Sequence, residues 1–188
     1  MLLLRVRAKN YAITVTESLP LGVYKLSEID DIKIGDIVQF KPSEKTLEFI
    51  YNREYLPRYA TTLLKEVAAD YSNRDEIEIV NDGEVSYLYV SGKNYGIILN
   101  TDSIGRKIIP LRVEDLKPRN KDEYLLLSSH IRSYDSRCFG LINRKDILKK
   151  AELKIKSIDA NTKMIEISEL YKAGYSVHAC NLSTLGGQ

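Results

Sequence analysis

Ser18 is the first of three features of the chain that could together hydrolyse an amide bond. It stands between the end of a predicted strand and a turn marked by Pro20 and Gly22. Such a turn can present a hydroxyl to solvent and leave nearby N–H groups pointing outward, as a nucleophile and its oxyanion donors require. An ordinary turn serine has the same local pattern, so this stretch alone does not assign a role.

The second feature is a compact apolar run over residues 63–69 that contains one lysine, Lys65. If the run is a core strand, Lys65 shares a face with Leu63 and Val67. Desolvation by such neighbours lowers a lysine pKa from its reference of about 10.4, and a neutral amine can accept the proton of a serine hydroxyl. The alternative is an edge-strand lysine whose stem covers apolar surface while its amine reaches water.

The third feature is residues 133–140, which place two hydroxyls, a carboxylate and a guanidinium within five positions. Ser133 or Ser136 could hydrogen-bond a lysine amine and fix its orientation. Asp135 and Arg137 could pair and brace the loop. A polar loop of turn residues is the alternative interpretation.

Many short strands separated by turn residues must position these groups, which predicts a mainly antiparallel β protein with short helices. Strands are predicted over residues 2–6, 11–15, 37–40, 63–69, 77–80, 85–90, 95–99 and 124–128. A short helix is predicted over 44–53 with Ser43 as its N-cap, and a second over 144–150. A last hairpin is predicted from 153–158 and 163–167.

In this order and spacing, the stretches resemble the boxes of the type I signal peptidase superfamily. They are most similar to its conjugative-transfer branch, the TraF-type pilin-processing peptidases. Residues 18–24 match S-x-P-x-G-x-Y, and residues 35–40 match G-D-[IL]-V-x-F. Residues 63–69 match L-L-K-x-V-A-[AG], and residues 133–140 match S-x-D-S-R-x-F-G.

The resemblance implies a signal-peptidase/LexA-like antiparallel β catalytic domain and a serine endopeptidase with a Ser–Lys dyad. It implies Ser18 as nucleophile, Lys65 as general base and Ser133 as the hydroxyl that orients the amine. The further oxyanion and support residues that it implies are Thr16, Asp135, Ser136 and Arg137.

The same resemblance implies a partner of the exported or pilin-like precursor class, in the bacterial periplasm or at the outer face of the inner membrane. It also allows association with a membrane surface, although neither an anchor nor an export signal is evident in the sequence. Two motifs depart from the superfamily. Residues 70–75 keep an acid but lack the Pro-Gly of the superfamily motif, and residues 125–129 stand where housekeeping enzymes have Gly-Asp-Asn, as in the TraF-type branch.

The bulk composition is typical of a soluble globular protein, and no cofactor is expected. The 188 residues carry a net charge of +2, which gives no reason to expect nucleic acid as a partner. Cys138 and Cys180 are too few for a disulfide framework, and whether they pair stays open. His178 and Cys180 supply only two of the four ligands of a structural zinc site, so no metal is expected.

The sequence divides into a catalytic domain over residues 1–150 and a C-terminal extension over 151–188 that completes the domain or forms a tail. Residues 70–122 are predicted to form a small β insertion or cap. Two rival functions remain: a LexA-like self-processing peptidase, and a non-enzymatic β module of a transfer apparatus. A histidine triad is disfavoured, because neither His130 nor His178 stands in a recognisable catalytic box.

Overall fold

A computed structural model of the chain describes residues 10–14, 16, 18–156 and 176–178. Within this part, eleven strands form one large and one small sheet. The strands are β1 Tyr11–Thr14, β2 Gly22–Ser27, β3 Ile37–Phe40, β4 Leu63–Ala69, β5 Ile77–Asp82, β6 Val85–Val90, β7 Lys93–Ile97, β8 Glu123–Leu127, β9 Ile142–Asn143, β10 Ile147–Lys156 and β11 Ser176–His178. The helices are α1 Glu44–Asn52, α2 Val113–Leu116 and α3 Ser136–Phe139, with 3-10 turns at Arg74–Glu76 and Arg144–Asp146.

The large sheet has the strand order β11-β1-β2-β10-β3-β4-β8-β9. Its neighbours pair antiparallel except for β1 and β11, which are parallel. The small sheet is the antiparallel meander β5-β6-β7. This architecture confirms the predicted mainly antiparallel β fold with short helices.

Apolar side chains pack on both faces of the large sheet. One cluster gathers around Val38, Phe40 and Leu126 and includes apolar residues of α1. A second lies between β4 and β8 and the small sheet, and it joins Leu125 to Leu88. The small sheet is therefore packed against the two strands that flank the site described below.

Several predicted elements are confirmed residue for residue. Strands β3, β4 and β6 have the predicted bounds, and α1 ends one residue earlier than predicted. The Ser43 hydroxyl accepts a hydrogen bond from the Thr46 N–H, which satisfies one of the unpaired donors at the start of α1. The predicted strand over residues 95–99 begins two residues earlier, at Lys93.

The helix predicted over residues 144–150 is wrong. A 3-10 turn at Arg144–Asp146 leads directly into β10, which pairs with β2 on one side and β3 on the other. Two sheet partners outweigh the weak helical pattern of this basic stretch, because tertiary pairing overrides local propensity. Lys149 and Lys150 pair with Glu28 and Asp36 rather than lining a helix face.

Some predictions fall outside the described residues. The strand over 2–6 and the hairpin strand over 163–167 lie there, whereas 153–156 belong to β10. Strand β10 runs across residue 150, and the domain division stays a prediction. In the described part of the chain, no helix is long and apolar enough to cross a bilayer.

A buried carboxylate fixes the loop over residues 100–108 against the end of α1. Asp102 accepts hydrogen bonds from the Tyr55 hydroxyl at 2.8 Å and the Arg106 Nε at 2.6 Å, and Arg53 lies at 3.4 Å. Burial alone would raise the pKa of Asp102, but these hydrogen bonds outweigh it and lower the pKa to about 2.

Asp102→Asn is expected to lower the free energy of unfolding by about 1–3 kcal/mol near neutral pH, because Tyr55 and Arg106 lose a charged acceptor. The folded-state pKa lies below the ordinary value of 3.8, so the ionised carboxylate stabilises the fold above that value. Denaturant unfolding should show the difference between wild type and variant shrinking as the pH falls from 3.8 to about 2. A difference that stayed constant over this range would contradict the assignment.

Candidate active site

Ser18 lies in the connection between β1 and β2, and only 7% of it is exposed. The far side of this connection is held by side chains of the two strands. Thr14 Oγ1 donates to the Pro20 carbonyl at 3.0 Å, and the Tyr24 hydroxyl donates to the same carbonyl at 2.9 Å. Burial raises the pKa of Tyr24 to about 12, so its hydroxyl remains a donor at neutral pH.

Gly22 is required by the close approach of β10. A Cβ atom built at Gly22 would lie 2.0 Å from the Ile155 carbonyl oxygen, which is a backbone atom and cannot turn aside. The Gly22 N–H also donates to Thr14 Oγ1 at 2.9 Å. The proline, glycine and tyrosine of the motif over residues 18–24 thus shape the turn that carries Ser18.

Lys65 is fully buried on β4, with 0% of it exposed. Strand β4 lies between β3 and β8, and Lys65 stands opposite Val38. The edge-strand alternative is therefore wrong. Leu63 and Val67 belong to one buried cluster, as the alternation around Lys65 predicts, whereas Leu64 belongs to another.

The Lys65 amine meets one of the two serines that the sequence offers. Lys65 Nζ donates to Ser133 Oγ at 2.9 Å, in a contact that spans 68 positions of the chain. Ser136 has a different place: its Oγ accepts the Leu126 N–H at 3.1 Å and so fixes the end of β8. Both serines are buried.

Tyr134 locks the loop that carries Ser133 into the core. Its ring stacks on Phe49 of α1 with 5.2 Å between centroids, and Phe139 lies 5.7 Å away. The side chain next to Ser133 is thus held by aromatic packing, which limits how far the Ser133 hydroxyl can move from the amine.

Asp135 and Arg137 form a buried ion pair, as the sequence predicts. Arg137 Nη2 lies 2.6 Å from Asp135 Oδ2, and Nε lies 2.8 Å from Oδ1. Burial opposes the charge of Arg137, but the adjacent carboxylate prevails and raises its pKa. Arg137 also donates to the carbonyls of Tyr95 and Ile97 on β7, so the small sheet supports this loop.

Ser128, which sequence analysis did not single out, connects the turn that carries Ser18 to this loop. Its hydroxyl donates to the Ser18 carbonyl, across 110 positions of the chain. Its own N–H donates to Asp135 and its carbonyl accepts from Arg137. A serine that follows an apolar strand has no local signal for such a role, because the contact exists only once the chain is folded.

We call residues 128–137 the brace segment. It contacts both the Ser18 main chain and the Lys65 amine, and it is itself fixed by the Asp135–Arg137 pair. Thr16 is also buried, at 5% exposed. The structure therefore brings both members of the predicted dyad to one segment, and a direct contact between Ser18 Oγ and Lys65 Nζ stays a prediction.

Two other residues, Cys138 and His130, could in principle act as nucleophile or base, but their contacts are those of structural residues. Burial, followed by the nearby Asp135 charge, raises the pKa of the Cys138 thiol to about 12, so little of it is thiolate at neutral pH. His130 donates its N–H to Ser128 Oγ, and its Nδ1 accepts the Arg132 N–H at 3.2 Å. Cys180 and the His178 side chain lie outside the described residues.

Apolar side chains line a small cavity beside Ser133, among them Ile97, Ile108 and Ile131. Ser133 and Arg137 are the polar side chains that also line this cavity. Among the described residues, no group of three or more His, Cys, Asp or Glu side chains has a metal-binding arrangement. The described residues thus place a buried amine in contact with a serine hydroxyl.

A comparison with known protein families identifies a match. A family model described as signal peptidase, peptidase S26, matches residues 3–156. The matched range contains Ser18, Lys65 and the whole brace segment. No curated protein and no solved structure matches the chain in these comparisons.

Gly22→Ala is expected to lower the free energy of unfolding by roughly 1–3 kcal/mol, because the added methyl group overlaps the Ile155 carbonyl. In a protein of this size each kcal/mol lowers Tm by about 2–4 °C. Thermal unfolding followed by circular dichroism measures the shift. Ser27→Ala, an exposed change on the same strand, is the control and should leave Tm unchanged. An unaltered Tm for Gly22→Ala would contradict the close approach of β10.

Proposed function

Because the chain belongs to the signal peptidase family, peptidase S26, we propose that this serine peptidase uses Ser18 as nucleophile and Lys65 as general base. The observation that carries the proposal is the fully buried Lys65 amine, whose hydrogen bond to Ser133 fixes its orientation. Burial penalises a charged amine, and a neutral amine is the form that can accept a proton.

The proposed reaction is an acyl transfer in two stages. The Lys65 amine takes the proton of Ser18 Oγ while that oxygen attacks the scissile carbonyl. The Lys65 ammonium then gives its proton to the leaving amine, and an ester to Ser18 remains. A water molecule, deprotonated by the same amine, hydrolyses the ester and frees the serine hydroxyl.

The negative charge that develops on the carbonyl oxygen requires donors at the turn. We assign this role to the Ser18 N–H and the Thr16 hydroxyl, since Thr16 is buried two positions before the nucleophile. One such donor is worth about 10²–10³-fold in rate. Thr16→Val should therefore weaken turnover without abolishing it.

The proposed substrates are exported precursor proteins with small residues before the cut, of the pilin-like class used in conjugative transfer. The motif over residues 18–24, which resembles the TraF-type branch, supports this narrower assignment. An extended segment would bind by adding a strand beside the site. The proposed place of action is the periplasm or the outer face of the inner membrane.

Ser18→Ala and Lys65→Met are each expected to reduce kcat by at least about 10²–10⁴-fold, because one removes the nucleophile and the other the base. Methionine keeps the apolar volume of the buried stem, so the fold should survive. Cleavage of candidate pilin precursors, followed by intact mass, measures the loss. Lys25→Met, which changes an exposed lysine on β2, is the matched control and should retain full activity.

Two results would separate this proposal from its rivals. A folded wild-type protein that cleaves no precursor and carries no acyl group on Ser18 would favour a non-enzymatic β module. Cleavage confined to the chain itself would favour a self-processing peptidase of the LexA kind. Full activity of Lys65→Met would end the dyad assignment.

Ser133→Ala is expected to lower kcat about 10- to 100-fold and to leave KM nearly unchanged, because the amine loses the acceptor that orients it. Steady-state kinetics on a quenched fluorescent peptide measures both constants. Ser27→Ala serves as the control for loss of a hydroxyl elsewhere. A rise in KM at constant kcat would indicate that Ser133 contacts substrate instead.

A further inference from the structure

The side chain of Ser128 connects the brace segment to the turn that carries Ser18, by a hydrogen bond from its hydroxyl to the Ser18 carbonyl. Resting on the proposed function, we propose that Ser128 is a positioning residue, which sets Ser18 in place for attack without touching substrate. Ser128 takes part in none of the proton transfers or bond changes of the proposed reaction.

Every polar group of Ser128 has a defined partner. Its hydroxyl donates to the Ser18 carbonyl and accepts the His130 N–H at 3.1 Å. Its N–H donates to Asp135 at 3.2 Å, and its carbonyl accepts from Arg137 at 3.0 Å. Ser128 is 1% exposed, so water does not compete for these bonds. Four contacts in a buried place fix the direction in which the hydroxyl points.

The group that Ser128 holds is the carbonyl of the nucleophile itself. Fixing that carbonyl fixes the plane of the peptide bond that follows Ser18, and with it the rotation about the Cα–C bond. The direction of the Ser18 side chain relative to its surroundings depends on this rotation. The anchors from Thr14 and Tyr24 act at the Pro20 carbonyl, two positions later, and do not bond to the Ser18 peptide group.

The partner of the base stands on the same segment. Ser133 accepts the Lys65 amine five positions after Ser128, and the Asp135–Arg137 pair holds both ends of this stretch. A shift of the segment would therefore move the nucleophile turn and the base-orienting hydroxyl together. Reacting groups must be held within a narrow range of distance and angle, and a misplacement of about 1 Å can cost 10²-fold in rate.

Ser128→Ala removes the donor to the Ser18 carbonyl, and Ser128→Cys keeps the side-chain shape but supplies only a weak donor. Both should lower kcat about 10- to 100-fold, with KM changed by less than about twofold, because orientation rather than binding is lost. The probe is an internally quenched peptide with alanines before the cut. Hydrogen–deuterium exchange of the backbone over residues 18–21 should rise in both variants.

Two controls separate positioning from general stability. Ser27→Ala changes an exposed serine on β2, outside the brace segment, and should leave both readouts unchanged. Asn73→Ala removes the hydrogen bonds of Asn73 to the Ala68 carbonyl and the Ser91 hydroxyl, which involve neither Ser18 nor the brace segment. It should lower Tm as Ser128→Ala does and yet keep kcat within about twofold of wild type.

The inference is overturned if Ser128→Cys has wild-type kcat and unchanged exchange over residues 18–21. It is equally overturned if Asn73→Ala loses as much kcat as Ser128→Ala at a matched loss of Tm. Ser18→Ala in the same assay distinguishes failure of the positioning role from failure of the proposed function. If Ser18→Ala is inactive while the Ser128 variants are normal, only the positioning role fails; if Ser18→Ala cleaves normally, the proposed function fails first.

Discussion

A fully buried amine on a strand with neighbours on both sides is the constraint on which the rest of this site depends. Lys65 has no exposed surface, and an ammonium at such a position carries a large desolvation penalty. The surrounding residues meet this constraint in two ways. Apolar side chains of β4 and β8 belong to the cluster around this position. Ser133 supplies an uncharged acceptor for the Lys65 amine, and this hydrogen bond does not require the amine to be charged.

The second requirement is that groups far apart in sequence be held in register. The Asp135–Arg137 pair does this by clamping the main chain at Ser128 and the carbonyls of β7 at once. Glu66, which follows Lys65, accepts hydrogen bonds from Lys93 and the Tyr95 hydroxyl of β7. The small sheet thus contacts both β4, which carries Lys65, and the brace segment. The small sheet therefore stabilises the positions of β4 and the brace segment relative to each other.

Sequence reasoning predicted the parts of the site that are marked by residue type in a local pattern. The hydroxyl at a Pro/Gly turn, the lysine in an apolar run and the acid–arginine pair each stand in a short motif, and the structure shows the pair and the buried lysine where the motifs place them. Residues 144–150 were misassigned, because their helical pattern is weaker than the pairing of β10 with two other strands. Strand β2 was not predicted, since Gly22 reads as a turn residue in isolation although it opens a strand.

The amino-acid sequence by itself determined three things about this protein: which candidate nucleophile and base it offers, the family that its motifs resemble, and the antiparallel character of the fold. Side-chain type and local periodicity carry this information, and both are visible in the sequence before it is known which strands pair or which side chains meet. Only the tertiary structure decided that Ser133 rather than Ser136 meets the amine, and that Ser128 meets the Ser18 carbonyl. These contacts join positions 68 and 110 residues apart, and the physical reason is that strand pairing and burial, not neighbouring residues, set which groups approach.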